Sequence, residues 1–90
     1  MGVKERRRQS RSRAASEVLL FVEEPLACRI PARLIEASSR GFRAAHHFAA
    51  LAVGQEIRFR HEDGQGRARI VWTRVLPSHV ETGFVLLQSL

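Results

Sequence analysis

The chain has 90 residues and a single cysteine, Cys28. One thiol can form neither an intrachain disulfide nor a cysteine zinc cage, so a disulfide scaffold and a zinc finger are both excluded, and a reducing compartment suits the composition. Long hydrophobic runs are also missing. No stretch approaches the roughly 18 to 20 apolar residues that span a bilayer, and the first fifteen residues lack the apolar core of a signal peptide. The expectation is a cytoplasmic protein without membrane insertion. No GxxxxGK[ST] or GxGxxG loop is present, and Gly64-Gln65-Gly66 is too short to cradle a phosphate chain, which argues against nucleotide hydrolysis. The four histidines form no HxH or HExxH pair: His46 and His47 are adjacent and would face opposite sides of a strand, while His61 and His79 are isolated. Ordinary exposed or loop histidines are the expectation, with no metal and no other cofactor. A nucleophilic cysteine needs a base and an electropositive setting, whereas an unpaired cysteine is more often a small buried hydrophobe, so Cys28 reads as a packing residue. These gaps together predict a protein that is not an enzyme.

What is present is an apolar content of 44% and a net charge of +6. Ninety residues make one small domain with a modest core. The charge is unevenly placed. Residues 1–13 carry six basic residues against one acidic, whereas the rest carries nine against eight, with both signs interspersed. The high isoelectric point is thus a property of the terminus, and nucleic acid is an unlikely partner of the body. Residues 1–16 are basic, serine-rich and poor in large apolar groups, and they read as a flexible arm; residues 17–90 read as the folded domain.

Within the domain, Glu17 to Val22 is an apolar run of strand length. Arg29 to Glu36 sets Ile30, Ala32 and Leu34 at period two, with Pro31 pointing to an edge or a strand start. Ser38-Ser39-Arg40-Gly41 is turn chemistry, since glycine tolerates positive φ and serines bond nearby backbone. Phe42 to Ala45 follows as a short strand. Residues 46–53 show no alternation and read as a loop with room for a helical turn. Gln55 to His61 alternates Ile57 and Phe59 with charged residues, and Glu62 to Gly66 reads as a hairpin loop. Beyond it Ala68, Ile70 and Trp72 share one face, which makes Trp72 a core aromatic more readily than a stacking platform. Val80 to Gln88, with Thr82, Phe84 and Leu86 on one face, is the last strand. Six short strands separated by turns predict an all-β antiparallel sheet that curls or closes.

Two motifs stand out. Arg7-Arg8-Gln9-Ser10-Arg11 has RxxxR spacing, and 25 positions after Arg11 comes Glu36-Ala37-Ser38-Ser39-Arg40-Gly41. In order and spacing the pair resembles the signatures of PilZ domains, an RxxxR arm followed by a [D/N]xSxxG turn. Val53-Gly54-Gln55, Ile70-Val71-Trp72 and Thr82-Gly83-Phe84 extend the resemblance over about residues 5–87. It implies a six-stranded antiparallel β-barrel that binds cyclic di-GMP without catalysis. By the same resemblance Arg7 and Arg11 grip phosphate and guanine, Ser38 and Gly41 are the serine and glycine of the turn, and Glu36 stands where the family has Asp or Asn. Arg6, Arg8 and Arg40 are auxiliary contacts, and an unidentified downstream protein reads the ligand-induced change. Many family members carry a C-terminal helix, and this sequence stops soon after the last strand: either the helix is absent or the chain is minimal.

The chemistry of the residues agrees with such a ligand. A guanidinium fork bridges two phosphate oxygens or the O6 and N7 of guanine, and its plane stacks on a purine. Ordering about five arm residues costs roughly 5 to 10 kcal/mol, against about 1.5 to 3 kcal/mol returned by each charge-assisted hydrogen bond, so several such bonds must form together. Two other readings remain open: a barrel adaptor that binds protein and no dinucleotide, for which the glutamate at position 36 is the best argument, and a non-specific nucleic-acid binder acting through the arm.

Overall fold

Alternation sets the first strand, β1 (Glu17–Val22): Val18, Leu20 and Val22 turn inward and are almost fully buried. The computed structural model describes residues 17–23, 26–62 and 64–89, with the backbone alone at Gln88 and Ser89. Arg6, Arg7, Arg8 and Arg11 lie outside the described residues. Five strands follow: β2 (Cys28–Ala37), β3 (Gly41–His46), β4 (Glu56–His61), β5 (Gly64–Val75) and β6 (Val80–Ser89). Every neighbouring pair is antiparallel, and the β1–β4 ladder closes the ring in the order β1-β2-β3-β6-β5-β4. Closure leaves no free sheet edge along the ring, which removes the usual template for edge-to-edge aggregation. The described residues contain no helix.

The interior follows from the pattern. Leu20, Ala44, Ala68 and Ile70 are fully buried, and Ile30, Ile57, Phe59 and Phe84 join them in one cluster. Phe42 stacks on Phe84 at 4.6 Å and tilts against Phe59 at 5.0 Å, which bridges three strands with aromatic contacts. Cys28 packs against this cluster, as a small apolar residue does. At Pro31 strand β2 pairs with β1, through Leu19, while its pairing with β3 begins only at Arg33. The proline therefore occupies a local edge, where a missing N–H breaks no ladder.

Three expectations need correction. Glu62 to Gly66 is not a five-residue loop: β5 begins at Gly64, opposite His61, and Gln65 and Gly66 already pair with Arg60 and Phe59. The turn is tighter because two residues suffice to join antiparallel strands. Residues 47–55 form bends and turns with no helical turn, and Gly54, at φ 93°, supplies the left-handed conformation that a side chain would resist. Its N–H donates to the Ile70 carbonyl at 2.7 Å, tying this connection to β5. Thirdly, His46 belongs to β3 and not to a loop, and is only 2% exposed.

His46 is the head of a buried polar chain. Its Nδ1 accepts the Phe48 N–H at 3.0 Å, so the ring proton sits on Nε2 and is donated to Thr82 Oγ1 at 2.8 Å. Thr82, fully buried, meets Thr73 Oγ1 at 2.9 Å. Burial, followed by the nearby His47 and His79, holds the His46 pKa below its ordinary value, which keeps the ring neutral.

Candidate ligand groove on the outer wall

The residues that carry the turn motif and the tryptophan are brought together by two β-bulges. Ile30, Ala32 and Leu34 face inward, so strict alternation would send Glu36 inward as well. Between Leu34 and Glu36 the β2–β3 register slips by one residue at Ile35, and Glu36 emerges on the outer wall opposite Arg43. The same event occurs in β5. Ala68 and Ile70 are inside, the register slips at Val71, and Trp72 comes out opposite Gly83 while Thr73 turns in toward Thr82. A bulge re-aims every side chain beyond it, and two of them here align Glu36, Arg43, Gly83 and Trp72 in one cross-strand row over β2, β3, β6 and β5. Trp72 is therefore not a core residue, contrary to the alternation of Ala68, Ile70 and Trp72.

The two glycines of this wall are demanded by close packing. A Cβ on Gly83 would lie 2.3 Å from Trp72 Nε1, so the indole rests directly on the β6 backbone. A Cβ on Gly41 would lie 2.0 Å from the Phe84 carbonyl oxygen, and the same approach lets Leu86 N–H donate to the Arg40 carbonyl at 2.7 Å. Gly41 is not among the positive-φ residues, so its role is proximity to β6 and not the turn conformation expected of it. The turn itself is held by the Ser38 N–H to the Gly41 carbonyl at 2.9 Å and by the Arg40 N–H to Ser38 Oγ at 3.2 Å. The hydroxyl of Ser38 accepts there and keeps its own proton to donate.

An open groove of about 360 Å³ runs along this row, lined by Glu36, Ser38, Arg40, Arg43 and Trp72 over Gly41 and Gly83. Ser38, Arg40 and Glu36 are exposed, and Trp72 is half-buried. Glu36 is engaged: Arg43 Nη2 donates to its Oε1 at 2.5 Å, and the pair spans the floor of the groove. Arg43 Nε is shielded from solvent without an acceptor among the described residues, so Glu36 is what orients this guanidinium. Arg40 has no carboxylate partner among the described residues. The Arg74 guanidinium lies 5.8 Å from the centroid of the indole ring.

Of the turn residues named by the sequence, Glu36, Ser38, Arg40 and Gly41 thus share one groove, and Arg43 and Trp72 join them. Arg43 was legible in principle, because a four-residue connection from Ser38 to Gly41 pairs Ala37 with Phe42 and so sets Arg43 across from Glu36. Trp72 had one signal, a glycine in the partner strand on which an aromatic ring can lie. No family model matches the chain, and no curated protein or solved structure matches it. Among the described residues no group of three or more His, Cys, Asp or Glu could hold a metal ion, and no helix is long and apolar enough to cross a membrane.

Proposed function

We propose that this chain is a PilZ-like receptor for cyclic di-GMP that passes the signal to a protein partner and performs no catalysis. One observation carries the reading: Ser38 and Arg40 of the β2–β3 turn and Trp72 of β5 open onto one groove that offers a hydroxyl donor, a guanidinium with no carboxylate partner among the described residues, and an aromatic face. A cyclic dinucleotide has two phosphodiesters and two purines, and these three groups match a base edge, an anion and a base face respectively. Arg40 takes a phosphate and Ser38 donates to a base or phosphate oxygen. Arg7 and Arg11 of the RxxxR arm close over the ligand, with Arg6 and Arg8 adding charge. Gly41 admits the close approach of the backbone. Glu36 acts through Arg43, whose guanidinium it orients toward the groove, and it does not itself contact guanine.

Ligand held by Arg7 and Arg11 as well as by the groove ties residues 7–11 to the barrel and so changes the surface shown to a partner. The test is isothermal titration of cyclic di-GMP at about 0.15 M salt, where long-range surface attraction is largely screened. Saturable heat is expected for the wild type, with at least tenfold weaker binding for Arg11→Ala and none with GTP. A second reading, a barrel adaptor that binds protein and no dinucleotide, is favoured by the Glu36–Arg43 ion pair, which occupies the carboxylate where the family has Asp or Asn. Absence of binding by the wild type at high micromolar ligand would select it.

A further inference from the structure

The arginines of the domain, scattered in sequence, are sorted by the barrel. On the wall opposite β6 the outward residues of β1 are Glu17, exposed at its start, and Leu19 and Phe21, both half-buried. β2 sets Arg29 beside Phe21 and Pro31 beside Leu19, and β4 sets Arg58 and Arg60 on the other side of the same two residues. The result is an apolar stripe along β1 between two arginine-bearing rails. Arg58 and Arg60 hold their guanidinium carbons 5.8 and 5.6 Å from the Phe21 ring centroid. Arg58 is partly neutralised by Glu23 at 3.0 Å, whereas Arg29, Arg33 and Arg60 have no carboxylate partner among the described residues. Beside Phe21 lies an open hollow of about 450 Å³ bounded by Arg58, Arg60, Gln65 and Arg67.

We propose that this β1 wall docks an acidic amphipathic segment of a protein partner, its apolar side chains on Leu19 and Phe21 and its carboxylates on the flanking arginines. Aromatic residues and arginine are the types that dominate interface energetics, and here a half-buried phenylalanine and exposed arginines are contiguous. One feature favours a protein segment over a polynucleotide: Glu23 and Glu56 stand among the arginines and would repel a continuous line of phosphates. The surface is on the wall opposite the ligand groove and its existence does not depend on dinucleotide binding.

The test uses a random-peptide display library selected on the full chain. Enriched peptides are then synthesised with a fluorescent label and titrated by anisotropy against the wild type, Phe21→Ala, and the Arg58→Glu, Arg60→Glu double variant, with thermal melts to verify folding. The arm is identical in all three proteins, so differences report the β1 wall. The proposal expects enriched peptides with Asp or Glu flanking Leu or aromatic residues, and at least about tenfold weaker binding to each variant. It is overturned if the enriched peptides are not acidic, if they bind the charge-reversed variant as tightly as the wild type, or if a labelled dT12 oligonucleotide binds the wild type more tightly than they do and is lost in the same variants.

Discussion

Gly41 and Gly83 have no side chain because the neighbouring strand and the indole leave none room, and the two sites differ in what would have to move. At Gly83 a methyl group meets the Trp72 ring, which can swing away; at Gly41 it meets the backbone of Phe84, which cannot move without breaking the β3–β6 ladder. Gly41→Ala should cost at least about 2 kcal/mol in urea unfolding, and Gly83→Ala less, with a red-shifted tryptophan emission as the indole leaves the wall. His46 supplies a pH-dependent term. Its folded pKa is lowered, so its contribution to stability is fully present above the unfolded value of about 6.5 and is lost as pH falls toward the folded value. Unfolding free energy should decline by up to about 1.4 kcal/mol per pH unit below about pH 6.5, and His46→Gln, which retains a donor and an acceptor without a titrating proton, should flatten that slope. A further loss is expected below the ordinary glutamate range of about 4.5, where Glu81, its pKa lowered chiefly by the hydrogen bond from His79, takes up a proton. His46 was not legible as a core residue because its burial depends on a polar partner, Thr82, 36 positions away.

The strands were legible because apolar alternation, glycine and proline are local signals. β1 has the bounds that its run of apolar residues implies, and β2, β3, β4 and β6 differ by one or two residues at their ends. What alternation cannot reveal is where it breaks. The slips at Ile35 and Val71 leave no mark in the residues themselves, since isoleucine and valine are ordinary strand formers, yet they decide that Glu36 and Trp72 face outward. Deleting Val71 removes the extra residue and leaves Ile70 and Trp72 opposite the consecutive Phe84 and Gly83, so the indole stays on the outer wall and Thr73 stays turned in toward Thr82. That deletion should therefore change stability in urea unfolding by no more than about 1 kcal/mol and leave any ligand response of the groove in place. A Val71→Ala substitution, which keeps the bulge, should have a small effect on both because this side chain is 47% exposed.

Across the whole molecule, closure turns six short strands into two opposed working walls. The Glu36 to Trp72 row occupies the β3–β6 side and the arginine-flanked stripe occupies the β1–β4 side. Charge counting along the chain hid the second wall, because Arg29, Arg33, Arg58 and Arg60 become neighbours of one strand only through the register of β1 with β2 and β4. The turn motif was readable as a candidate site, since Glu36, Ser38, Arg40 and Gly41 are close in sequence; its partners across the sheet were not. Trp72 is the chain's one tryptophan, and it lines the proposed ligand groove. The decisive measurement is therefore a cyclic di-GMP titration followed by tryptophan emission, with GTP and Arg11→Ala as controls. A saturable change with cyclic di-GMP, absent with GTP and shifted at least tenfold to higher ligand concentration in Arg11→Ala, is the predicted result; an emission that stays constant to high micromolar cyclic di-GMP would contradict the assignment of this groove.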